Sequence, residues 1–228
     1  MRNDRHLAIK LRKKGVSYNK ISKKLGIPKS TMCYWFKDKR WSQQIKKELT
    51  RKALYVAKKR LRLINKGRRE KWEKWRESHR KQAKKEFPLL KKYPLFLAGL
   101  MLYWGEGDSK LENSLVRLSN TDPEMIKIVS LFLQKVCLIS KEKIKVNLIL
   151  YPDLNENKCK DLWSKASGIS KDKFYKTQYI YGKHPTKRSS YGICNICVAS
   201  RGLKEKIFTW MKLYQQSLSR ASYNGYYI

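Results

Sequence analysis

Residues 97–108 read LAGLMLYWGEGD, an apolar run of helical length that closes on one carboxylate, Glu106, between Gly105 and Gly107. A stretch this apolar predicts a buried helix with the rest of a domain packed around it. The uninterrupted part, Leu95 to Trp104, is about half of the ~20 residues a membrane span requires. The first residues of the chain also lack the apolar core of a signal peptide. The expectation is a protein without membrane association, in the cytoplasm.

Working outward toward the C-terminus, Ser114–Asn120 alternates as a strand, and Asp122–Val136 reads as a helix with Pro123 in its first turn. Lys143–Tyr151 is a strand, Asn155–Ser167 a polar helix, and Lys173–Ile180 and Tyr191–Ser200 further strands. An amphipathic helix, Leu203–Leu218, closes the pattern with Ile207, Trp210, Met211 and Tyr214. Strands interleaved with helices of this length predict an α+β domain over 94–218, with an antiparallel sheet covered by helices on one face and a short tail over 219–228. The uncovered face would be the working surface.

Toward the N-terminus three short helices are expected within residues 1–40. The first carries Leu7, Ala8 and Leu11 and stops at Gly15; the second, capped by Ser17, runs to Leu25; Gly26 supplies a tight turn; Pro28 opens the third. The second buries Tyr18, Ile21 and Leu25, and the third, Lys29–Lys37, buries Met32, Trp35 and Phe36. Three helices with a glycine turn between the second and third describe a helix-turn-helix. Residues 41–93 form a basic helical linker, with a short stripe at Leu54, Ala57, Leu61 and Ile64 and an expected break at Gly67. This linker would lie along a phosphate backbone, pair with its copy, or simply join two domains. Trp72 and Trp75 are expected to pack against the following domain.

The chain holds 54 Lys and Arg against 18 Asp and Glu, a net charge of +36, and +26 of it lies in residues 1–94. Few partners other than a polyanion call for such a field. The expected ligand is double-stranded DNA, which places the protein at the nucleoid; no P-loop or dinucleotide fingerprint points to a small-molecule substrate. The five cysteines are odd in number and scattered, as reduced thiols are. Cys194 and Cys197 form a lone CxxC in a strand, which puts them on opposite faces as plain core residues.

The string SYNKISKKLGIPKSTMCYWF, residues 17–36, resembles the helix-turn-helix of resolvases and many bacterial regulators. The resemblance implies that the third helix enters the major groove, where Lys29, Ser30, Thr31, Tyr34 and Lys37 reach bases or phosphates. Residues 95–215, with the helix ending Gly105, Glu106, Gly107, resemble the LAGLIDADG homing endonucleases. That family sets an acid at the helix end beside the scissile phosphates, and two such helices pack so that paired acids bind divalent metal. The resemblance implies that Glu106 is catalytic and, with the Gly105 carbonyl, a ligand of Mg²⁺, and that a chain with one motif acts as a homodimer. An acid at a helix C-terminus opposes the macrodipole, which makes a purely structural purpose less natural.

The family's small residues lie five and six positions before the acid, where this chain has Met101 and Leu100. Gly99 and Ala98 lie about 200° further round the helix. Lys143 and Lys145 on a strand, and Lys183, Lys187 and Arg188 in the loop GKHPTKRSS (residues 182–190), are further candidates for holding phosphate. Two alternatives stand beside the nuclease: a non-catalytic DNA-binding regulator on the same domain, and an RNA-binding accessory protein.

Overall fold

The computed structural model describes residues 4–181 and 189–223, with side chains to residue 219. The chain divides into two compact units, Met1–Trp72 and Glu73–Ile228.

The first unit opens with α1 (Arg5–Lys13), α2 (Tyr18–Leu25) and α3 (Lys29–Phe36). Ser17 Oγ accepts from the Lys20 amide at 3.4 Å, and Gly26 ends α2 at φ +65°, a backbone conformation that any side chain would strain. Ala8, Ile21, Ile27, Met32 and Phe36 form the core, with Tyr18, Leu25 and Trp35 half-buried around it. Leu7, beside Ala8 on α1, is exposed. Arg12 is buried instead, donating to Ser42 Oγ (3.2 Å), the Ser42 carbonyl (2.9 Å) and the Val16 carbonyl (3.1 Å), with its guanidinium over the Tyr18 ring. These bonds fasten α1 to the start of the next helix, α4.

Helix α4 runs unbroken over Arg40–Leu90. The break expected at Gly67 is absent: one glycine costs a helix only about 1 kcal/mol, and good helix formers flank it. The unit boundary falls within this helix, so the end of the expected linker belongs to the second unit. There Ala83 and Phe87 join the core, Trp210 Nε1 donates to the Ala83 carbonyl at 3.1 Å, and Lys206 pairs with Glu86 at 2.8 Å. Trp75 lies edge-on to His79, and Trp72 is 57% exposed.

The second unit is an α+β fold with a four-stranded mixed sheet. Helix α5 (Pro94–Glu106) leads to β1 (Leu115–Asn120), α6 (Pro123–Leu131), β2 (Ile144–Leu150), α7 (Glu156–Ser167), β3 (Gln178–Tyr179), β4 (Ile193–Ala199) and α8 (Arg201–Tyr223). The strand order is β1-β4-β2-β3. β4 is antiparallel to both β1 and β2, whereas β3 is parallel to β2. The expectation of a wholly antiparallel sheet is corrected there: α7 carries the chain back across the sheet, so the next strand runs the same way. The expected strand Lys173–Ile180 is reduced to Gln178–Tyr179, because Lys171–Lys173 forms a 3₁₀ turn.

Every second strand residue faces the helices: Val116, Leu118, Ile144, Val146, Leu148, Leu150, Cys194, Ile196 and Val198 share one core with Phe96, Leu100, Phe132, Trp163, Ile207 and Trp210. Gly99 of α5 lies against the Phe132 ring, so closely that a Cβ would overlap it. α6 continues into a widened turn over Phe132–Val136, closed by the Cys137 amide donating to the Phe132 carbonyl at 3.0 Å.

Two outcomes follow. Gly99→Ala destabilises the second unit by about 1–3 kcal/mol through overpacking, read from the midpoint of urea denaturation. Glu156 pairs with Lys160 of its own helix at 2.7 Å and ties α7 to the β3 segment by accepting from Thr177 Oγ1 (2.6 Å) and Tyr179 Oη (2.6 Å), and these contacts push its carboxyl down to about 2. The folded value lies below the unfolded one of about 4.3, so the tie contributes at neutral pH and is lost as pH falls toward 2. The melting-temperature advantage of the wild type over Glu156→Gln should therefore shrink between pH 5 and pH 2; an advantage independent of pH would contradict the tie.

Candidate nucleic-acid interface

Three surfaces carry the residues that the sequence singles out. On α3 the buried Met32 and Phe36 fix which side faces out. Lys29, Ser30, Tyr34 and Lys37 are exposed together, Tyr34 at 83%, and Thr31 is half-buried at the edge of the same side. Cys33 shares this face and was not among the expected residues; its spacing of three from Ser30 is the signal that places it there.

The second surface is the open face of the sheet. Strand register aligns Arg117 of β1 with Cys197 of β4 and Lys145 of β2, so two cations flank one thiol in a row. The next row is Ser119, Asn195 and Asn147. Ser119 donates to Asn195 Oδ1, Asn195 Nδ2 donates to Asn147 Oδ1 and to its carbonyl at 3.2 Å each, and Asn147 Nδ2 donates to the Lys176 carbonyl at 3.2 Å. These amides satisfy one another, which leaves the charged row as the part of this face with unused donors. Burial pushes the Cys197 thiol up against the pull of Arg117 and Lys145, so it is a neutral thiol. Cys194 lies on the core side, as strand alternation requires. Lys143 is exposed in the turn leading into β2. Arg117 was missed, although its place between the core residues Val116 and Leu118 marks it as outward.

The third surface is the end of α5. The Gly107 amide donates to the Tyr103 carbonyl at 2.9 Å, residue 107 bridges Leu118, and the Asp108 amide donates to the Arg117 carbonyl at 2.9 Å. The chain leaving α5 is thus stitched to β1, which sets Glu106 beside the sheet. Glu106 and Gly105 are exposed, and among the described residues Glu106 makes no hydrogen bond or ion pair.

Asp108, two residues on, does the opposite. It accepts from the Lys110 amide (3.0 Å) and Asn113 Nδ2 (3.2 Å), and lies 3.6 Å from Lys204 Nζ and 4.0 Å from Arg117. The Lys110 amide, then Asn113 and the two cations, hold its carboxyl below the usual range. Lys204 is fully buried and also donates to the Leu115 carbonyl at 2.9 Å; burial lowers its pKa against the attraction of Asp108. The two neighbouring acids divide the work: Asp108 neutralises an interior cation, and Glu106 is open to solvent.

Among the described residues no three His, Cys, Asp or Glu side chains gather as a metal site. One chain offers Glu106 and the Gly105 carbonyl, two oxygens against the six of an octahedral magnesium shell, the rest of which substrate and water ordinarily fill in part. Lys183, Lys187 and Arg188 lie outside the described residues. No helix among the described residues is long and apolar enough to cross a membrane. No protein-family model, curated protein or solved structure matches the chain.

Asp108→Asn is expected to destabilise the second unit by about 3 kcal/mol, because it leaves the buried Lys204 without its counter-charge. Glu106→Gln should change stability by no more than about 0.5 kcal/mol, since nothing depends on it. Parallel urea titrations decide; equal effects of the two substitutions would contradict this division.

Proposed function

We propose that the chain binds double-stranded DNA and cuts it with Mg²⁺ as a homodimer, its first unit serving as a helix-turn-helix and its second as a LAGLIDADG-type nuclease domain. The observation that carries this reading is the pairing on one unit of an outward row of cations, Arg117 and Lys145, with a solvent-open carboxylate, Glu106, stitched beside the same sheet. In a chain of net charge +36, the cations grip phosphates, and the carboxylate sits where a cation-assisted reaction needs an oxygen ligand. On α3, Lys29, Ser30, Thr31 and Tyr34 reach base edges and Lys37 a phosphate.

The outer side of α5 supports the homodimer. The helix is apolar all round, and such a helix is ordinarily covered on every side. Yet Ala98 and Gly105 are exposed, with Met101 and Leu102 only half-buried between them on one stripe. A second copy packed on this stripe covers it and brings the two Glu106 side chains near each other. The small residues at either end of the stripe allow close approach. Glu106 and the Gly105 carbonyl of each copy would then hold the metal, which when bound supplies positive charge at the scissile phosphate.

A second reading keeps both DNA-gripping surfaces and drops the cutting, giving a regulator; Leu100 and Met101, where the resembled family has the small residues of its paired helices, favour it. One experiment separates the two. Duplexes are selected from a randomised pool, and Mg²⁺ is added to the captured complexes beside an EDTA control. Under the nuclease reading, cutting requires Mg²⁺, is lost in Glu106→Gln with DNA affinity retained within about twofold, and is lost in Leu102→Arg together with dimerisation measured by sedimentation. Selective retention with no cutting by the wild type supports the regulator. An absence of duplex binding overturns both.

A further inference from the structure

The most basic exposed stretch of the molecule, the middle of α4, has no part in the reading above. From Arg51 to Trp72 the chain carries ten Lys and Arg and one acid, Glu70, and every residue of the stretch is exposed. The stretch just after it is built differently. Arg76 and Arg80 both pair with Glu73, Arg80 also pairs with Glu77, and Arg80 reaches the buried Glu205. In the exposed stretch the only ion pair among the described residues is Lys66 with Glu70, at 4.0 Å. Its like charges stand four apart, as Lys58, Arg62 and Lys66 do, an arrangement that destabilises a helix left alone in water. A polyanion removes that repulsion.

The cations are also aligned. Arg51, Lys58, Arg62 and Arg69 are separated by seven, four and seven residues. At 3.6 residues per turn this keeps all four within about 40° of one line along the helix, over about 27 Å. The exposed apolar residues Leu54, Ala57, Leu61 and Ile64 form a separate short stripe, about 60° to 140° round the helix from the row of cations. A bilayer-binding helix needs a broad apolar face to sink, and this stripe offers three large apolar residues and one alanine, with Arg68 on the same side. A duplex presents one phosphate charge per ~1.7 Å of its axis, which a straight row of cations can follow.

Resting on the reading that the chain binds duplex DNA, we propose that this row on α4 is a third DNA contact, one that follows the phosphate backbone and adds affinity without sequence preference. The test uses the full chain with Arg51, Lys58, Arg62 and Arg69 all changed to Gln, which keeps helix propensity. The control changes Lys52, Lys59, Arg60 and Lys71 to Gln, removing the same charge from positions about 80° to 200° round the same helix from Arg51. Far-UV circular dichroism checks that both remain folded, and duplex affinity is measured from 50 to 200 mM salt.

Two to four lost phosphate contacts make the slope of log affinity against log salt shallower by about 1.8 to 3.6, at 0.9 per contact. The fall in affinity across that salt range then shrinks by about 12- to 150-fold, with sequence preference unchanged and the control near wild type. A smaller change, or an equal one in the control, overturns the proposal. So does binding to phosphatidylserine vesicles that depends on the row while the DNA slope does not. If the wild type fails to bind duplex DNA at all, the underlying reading fails and this proposal with it; a wild type that binds normally beside a silent row overturns the proposal alone.

Discussion

The second unit depends on one close approach. Residue 99 has no side chain, so α5 sits directly on the Phe132 ring, and Phe96, one turn earlier, packs among Phe132, Phe87 and Trp210. That places α5 at the centre of the core and fixes its axial position. Because the Gly107 and Asp108 backbone is then tied to β1, the position of Glu106 follows from a packing constraint seven residues earlier. The widened turn over Phe132–Val136 lies on the same contact.

Charge is the second constraint. A molecule with three times as many cations as anions must either hold like charges apart or give each a counter-ion. Inside the second unit the acids are spent on structure: Asp108 beside Lys204, Glu205 between Arg201 and Arg80, Glu86 on Lys206. On α3, on the open sheet face and along the middle of α4, the cations point outward with few acids near them. This division of labour is what makes an open carboxylate at the end of α5 worth testing as chemistry, and the outward cations worth testing as a DNA grip.

The sheet shows how little sequence separates a core face from a working face. Val116 and Leu118 face the helices while Arg117 between them faces out, and a shift of one residue in register would bury the arginine and expose both apolar neighbours. The Ser119, Asn195 and Asn147 row stiffens the open face, since each amide is held by the next. Arg117 and Lys145 are carried on that stiffened platform, separated only by Cys197.

By itself the sequence determined the local elements. Ser17, Gly26 and Pro28 mark the ends of α2 and the start of α3, alternation marks β1, β2 and β4, and the apolar run before Glu106 marks α5, because capping, turn conformation and periodicity are properties of a few neighbouring residues. The separate faces of Cys194 and Cys197 were legible for the same reason. Tertiary structure decided what depends on distant partners. Gly67 reads as a break, yet α4 continues through it, because a single glycine is too weak a signal to end a helix. Lys173–Ile180 reads as a full strand, yet only Gln178–Tyr179 pairs continuously with β2, with Phe174 adding an isolated bridge to Val146, because the return path through α7 and the turn at Lys171–Lys173 set where the chain meets β2. The difference between Glu106 and Asp108, two acids in four residues, is invisible in the string GEGD. It arises because α8 brings the buried Lys204 to Asp108, and Glu106, one side of the helix end away, is left facing water.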